Sequence, residues 1–157
     1  MHMSLFPEVK KVLATTGDLL PNLLNLLVYN RNKPIILQCA KLAASMALLH
    51  ENKSALASSG CMHSLFDLIL GGHVDVDEKI QYATLQALLN TTHESDSNRM
   101  LSVELAGIKP LLTFLKVSSH EPSLILDVQI MSNIAFNNGY TSNCILLAGG
   151  DSFLSTF

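Results

Sequence analysis

A recurring unit length constrains this chain more than any other feature. Gly17, Gly60, Gly107 and Gly149 each stand between a short helical pattern and a Leu-rich one, at intervals of 43, 47 and 42 residues. Such a period means one supersecondary unit used several times, each burying its apolar face only against its neighbours. For a helical pattern that arrangement is a solenoid. The plan is clearest in DEKIQYATLQALLN, Asp77 to Asn90, where Ile80, Ala83, Ala87 and Leu88 follow the 3.6-residue period of a helix with one buried face. Gln81, Gln86 and Asn90 supply its polar side. The next unit ends its plan in Ser132-Asn133-Ile134-Ala135, and the preceding one, more weakly, in Ala43-Ala44-Ser45-Met46.

The units divide into helices, two in the first and a trio in the second and third. The first holds a helix from Leu19 to Val28 and a longer one from Pro34 to Leu49, since Pro is tolerated in a first turn where its missing N–H costs nothing. In the second, a short helix ends over Ser54 to Ser58, Met62 to Leu70 follows, Gly71-Gly72 breaks it, and Asp75 or Asp77 caps the third. The third repeats the trio as Asn98 to Ala106, Ile108 to Val117 and Pro122 to Asn137, with Pro122 standing where Pro34 stood. Tyr140 to Phe157 holds a short helix and the beginning of another. No stretch sustains a period of two, so the expected class is all-α. The expected organisation is a single repeat domain over 4–157, with repeats at about 4–50, 51–93 and 94–138 and a partial one at 139–157. Met1 and His2 ahead of Met3 read as a cloning remnant.

Composition sharpens this reading. Of 157 residues, 48% are hydrophobic and only 15% charged, against about 25% in an ordinary soluble domain. That deficit points to a piece of a longer protein whose faces are meant to be covered. Leu5, Phe6 and Val9 at one end and Phe153, Leu154 and Phe157 at the other are expected to lie open. A net charge of −3 without any Lys/Arg run excludes the usual nucleic-acid footprint. No run is long enough for a membrane span, and no charged start precedes an apolar core, so neither insertion nor secretion is expected. Cys39, Cys61 and Cys144, an odd and widely spaced set among apolar neighbours, read as reduced thiols of a cytoplasmic protein. The sequons at Asn52 and Asn90 are then chance occurrences.

Residues for chemistry are scarce. Cys61-Met62-His63 has no second pair at zinc spacing, and the Asp75/Asp77 loop lacks the oxygen series of a calcium site, so neither metal nor cofactor is expected. No nucleophile elbow, phosphate loop or framed carboxylate pair is found. The expected function is therefore binding, not catalysis.

The order short helix, Gly, Leu-rich helix with an early Pro, then a long helix ending in Ala-Leu-x-Asn resembles the armadillo repeat. Gly107-Ile108-Lys109-Pro110-Leu111-Leu112 and Ala87-Leu88-Leu89-Asn90 carry the likeness, which extends over about residues 10–150. It implies a right-handed superhelix of about three three-helix repeats plus a partial fourth, with the third helices lining a concave groove. In that family an Asn near the end of each third helix bonds the backbone of an extended peptide. Asn90 and Asn133 match the position, 17 and 16 residues before the following Gly, while Ser45 departs from it. One turn earlier lie Lys41, Gln86 and Gln129, and further along the same face His93 and Phe136. Grooves of this family that hold basic nuclear-import peptides carry Trp one turn before the Asn, and this chain has none. The implied partner is a protein or peptide segment with few charges. The alternative is a structural module that stacks on flanking repeats or self-associates through its ends.

Overall fold

The computed structural model describes residues 17–71, 75–136 and 138–147. Among them are nine helices and no strand. In chain order these are α1 Leu19–Tyr29, α2 Lys33–Met46, α3 His50–Ser58, α4 Cys61–Ile69, α5 Glu78–Thr92, α6 Asp96–Glu104, α7 Ile108–Val117, α8 Glu121–Ala135 and α9 Gly139–Ile145. The helices predicted within the described residues are present, with ends shifted by a few residues. The first long helix stops at Met46 and not Leu49, and the last at Ala135 and not Asn137. Gly149, Leu5, Phe6, Val9, Phe153, Leu154 and Phe157 lie outside the described residues.

Local chemistry sets the boundaries. Asn32 begins α2 by accepting the Ile35 N–H on its side chain, with Pro34 in the first turn. At α5 the choice between two aspartates resolves to Asp77, whose Oδ1 accepts the Ile80 N–H at 3.0 Å. Asp75 instead takes Lys33 Nζ at 2.8 Å in an exposed ion pair. Two of the periodic glycines answer different needs. Gly60 sits at φ +87°, where a side chain is strained. Gly107 has an ordinary φ of −64°, but a Cβ there would meet the Phe66 ring at 2.5 Å, and the left-handed residue is its neighbour Ala106.

Packing follows the repeat. The long helices α2, α5 and α8 lie side by side in sequence, as do α1, α4 and α7, and the short α3, α6 and α9. Two helices hold the centre of the core. In α4 seven of nine residues are buried, Leu65, Phe66 and Leu68 among them. In α5 both flanks are buried, Ile80, Ala83 and Ala87 on one and Leu85, Leu88 and Thr92 on the other, because a long helix packs on each side of it. No helix among the described residues is long and apolar enough to cross a membrane.

Candidate functional site

The candidate residues fall into two neighbouring depressions along the long helices. The first, about 540 Å³, takes Leu37 and Lys41 from α2, Tyr82, Ala83 and Gln86 from α5, and Pro122 from α8. Lys79 and Glu78 stand at its edge with opposite charges, and the Tyr82 and His120 rings meet edge to face, with centroids 6.4 Å apart. The second, about 420 Å³, collects Asn90 and His93 from the end of α5 and Gln129, Ser132 and Asn133 from α8. Six of the eight sequence candidates thus line two cavities. Ser45 and Phe136 line neither. Tyr82 and Lys79 had no sequence signal beyond their place on the same face of α5, and His120, just before α8, had none.

The two asparagines are tied to the preceding long helix. Asn90 Nδ2 donates to the Ala44 carbonyl at 3.0 Å, which joins α5 to α2. Asn133 Nδ2 reaches the Thr92 hydroxyl at 3.4 Å, and that hydroxyl donates back to the carbonyls of Leu88 and Leu89. Leu89 occupies in α5 the place of Ala44 in α2, one residue before the Asn position, so Thr92 is inserted into the same link. The amide therefore does not serve as a local cap of its own helix. Among the described residues neither Oδ1 has a partner. With one N–H of each amide engaged, each Asn still offers a ligand its Oδ1 as an acceptor and its second N–H as a donor.

His93 and Phe136 follow the last residues of α5 and α8 and are held from the short helices. Lys53 of α3, a buried lysine, donates its ammonium to the His93 carbonyl. Burial pulls its pKa below the usual lysine value, an effect that Glu94 opposes and Arg99 reinforces. Arg99 of α6 stands at the matching place. Its Nε donates to the Thr92 carbonyl at 3.2 Å, its Nη1 to Asp96 at 2.7 Å, and its guanidinium lies 5.2 Å from the Phe136 ring centroid. Phe136 is thus 58% exposed yet fixed. The residue before each cation completes the pattern: Asn52 Nδ2 donates to the Met46 carbonyl, and Asn98 Nδ2 to those of Thr91 and Lys53. Side chains from the short helices therefore satisfy the open carbonyls at the ends of α2 and α5. The signal for this was present as Asn-Lys at 52–53 and Asn-Arg at 98–99, 46 residues apart.

A second set of matched positions lies inside. Cys39, Thr84 and Asp127 occupy one place on α2, α5 and α8, the last two each six residues before the Asn. All three are buried. Burial pushes the Cys39 thiol up, with the neighbouring Cys61 adding to it. Cys61 is likewise raised by burial, which a hydrogen bond with Ser59 partly offsets. The Thr84 hydroxyl and both carboxyl oxygens of Asp127 have no hydrogen-bond partner. Desolvation alone carries the Asp127 pKa from 3.8 to about 8, so the carboxyl is mostly neutral at pH 7. Cys144 is half-buried rather than a core thiol. Among the described residues no three His, Cys, Asp or Glu side chains gather as a metal-ligand set.

In comparison with known proteins, the chain matches no family model and is similar to no curated sequence.

Proposed function

We propose that this chain is an armadillo-like helical solenoid, a non-catalytic interaction module that holds an extended segment of a partner protein along α2, α5 and α8. The observation that supports this best is that two separate depressions are lined by neighbouring long helices: one takes Leu37 and Lys41 of α2 with Tyr82 and Gln86 of α5, and the other takes Asn90 of α5 with Gln129 and Asn133 of α8. An extended peptide laid across them meets amide side chains at a regular step and apolar surface from Leu37, Tyr82 and Pro122 between. Both asparagines are held through Nδ2, so each Oδ1 is available to accept a peptide N–H. The Lys79 and Glu78 charges oppose each other at the rim, which suits a segment of low net charge. The reading places the protein in the cytoplasm.

Peptides selected from a random display library against the whole chain test this. In spectra of the isotope-labelled chain, the side-chain amides of Gln86, Asn90, Gln129 and Asn133 should shift on binding. Gln86→Ala together with Gln129→Ala, both at exposed positions, should weaken the selected peptides by on the order of 1 kcal/mol per lost hydrogen bond and leave the melting temperature unchanged. Selected peptides that perturb α1, α4 and α7 instead would move the site to the opposite face.

A further inference from the structure

The described residues make one kind of junction twice, α2 against α5 and α5 against α8, and α2 and α8 each carry one half of it that no other described long helix covers. On α5 the stripe facing α2 is Ile80, Ala83 and Ala87, all buried. The same places on α2 are Ile35, Gln38 and Leu42, none of them buried. Ile35 is 38% exposed, and with Leu26, Pro34 and Leu42 it surrounds an apolar depression of about 400 Å³. At the other end the relation is reversed. The stripe of α2 facing α5 is Ile36, Ala40 and Ala43, all buried, whereas its counterparts on α8, Leu124, Val128 and Met131, are not. At one register position Ala40 and Leu85 are fully buried while Val128 is 51% exposed, with Ile125 beside it.

We propose that these ends dock on one another between copies of this chain, head to tail, with the outer face of α8 of one copy seated against the α2 face of the next. The occupant is a second copy because the two faces are the two sides of a junction the chain already forms. Among the described residues, the α2 face has no counterpart of the preceding long helix that α5 and α8 each pack against, and the outer face of α8 has none of the following one that α2 and α5 pack against. Neither stripe carries a charged residue, so no ion pair has to be desolvated when they meet. The association is heterologous, joining two different faces, and therefore continues beyond the dimer unless one face is blocked. It does not depend on any groove ligand.

Two single substitutions test it on the full chain. Ile35→Glu blocks the α2 face and places an acidic residue in the first turn of a helix, where it is favoured. Val128→Glu blocks the α8 face at a position already open to solvent. By sedimentation equilibrium from micromolar to near-millimolar concentration, the unsubstituted chain should rise in mass past the dimer. Each variant alone should stay monomeric, because a charge buried without a partner abolishes the contact. An equimolar mixture of the two should form a closed dimer, since each still presents one intact and complementary face. Circular dichroism melts matching those of the unsubstituted chain at low concentration confirm that both variants fold. A monomer at every concentration, a variant that dimerises by itself, or a mixture that stays monomeric each overturns the proposal.

Discussion

The junction between α2 and α5 and that between α5 and α8 share a register but not a chemistry. The first is alanine-rich, with Ala40, Ala43 and Ala44 on one side and Ala83 and Ala87 on the other, and Asn90 crosses it in one step to the Ala44 carbonyl. The second sets larger residues, Leu85 and Leu88, against a side that includes Ile130 and the buried carboxyl of Asp127, and Asn133 crosses by way of Thr92. Small residues let helices approach closely enough for one amide to span the gap, whereas bulkier contacts widen the spacing. A repeat can therefore hold its helix order while each junction is filled by different means, and at one matched place α5 buries an unpartnered hydroxyl, Thr84, where α8 buries an unpartnered carboxyl, Asp127.

The largest difference should appear at the position shared by Leu85 and Val128. Leu85 is fully buried between long helices, so Leu85→Ala is expected to lower unfolding stability by about 2–5 kcal/mol through lost contacts and the cavity left behind. Val128→Ala alters a half-exposed side chain that no described long helix covers and should stay within about 0.5 kcal/mol. Urea titrations at low micromolar concentration, where copies are apart, measure both. Equal losses would mean that the outer face of α8 is covered in the single chain and that the two flanks of the array are alike.

Asp127 gives the next effect, and only the second junction should feel it. Its folded pKa of about 8 lies above the ordinary 3.8, so between those values the folded state holds a proton that the unfolded state has lost. This contribution to stability is complete below about pH 4, falls as pH rises, and is gone above about 8. Between pH 5.5 and 8 the decline is about 3 kcal/mol, at about 1.4 kcal/mol per pKa unit. Asp127→Asn removes the ionisation, so the gap in stability between variant and parent should widen by that amount across the same interval. The charged groups on the elements packed against α8 stand apart from Asp127: Arg99 is engaged with Asp96 and Thr92, and Glu78, Lys79, Glu104, Lys109 and Lys116 are exposed. A gap that does not change with pH would show that water or a partner reaches the carboxyl and that the second junction is as well satisfied as the first.

The helix class and the trios were legible because 3.6-residue periodicity, prolines in first turns and recurring glycines act locally. Gly107 shows where local reading stops. Its spacing marked it, but its reason is the Phe66 ring from another helix. The same limit applied at the two depressions. Asn90 and Asn133 were found by position, yet that their Nδ2 atoms are engaged across the array follows from the pairing of long helices. Asp127 carried no signal, since an acidic residue in a helix normally lies in solvent and only the matched place of Thr84 and Cys39 reveals that this one points inward. Lys53 and Arg99 are likewise buried, where they close helix ends.

The smallest expected difference separates the asparagines themselves. Asn90→Ala removes the donor from the Ala44 carbonyl, a group with no other side chain assigned to it, and should cost about 1–2 kcal/mol as that acceptor goes unmet. Asn133→Ala removes a longer bond to a hydroxyl that still donates to Leu88 and Leu89, so nothing is orphaned and the loss should be about 0.5 kcal/mol. Thr92→Val tests the relay separately. It deletes the hydroxyl from the second junction and leaves the first untouched, so it should show coupling energy with Asn133→Ala and none with Asn90→Ala in a double-mutant cycle. Chemical denaturation of the six chains this requires gives both couplings directly. If Thr92→Val couples equally to both asparagines, or if Asn133→Ala is the costlier of the two, then the direct and relayed links are not what distinguishes the junctions, and the difference must lie in their apolar packing alone.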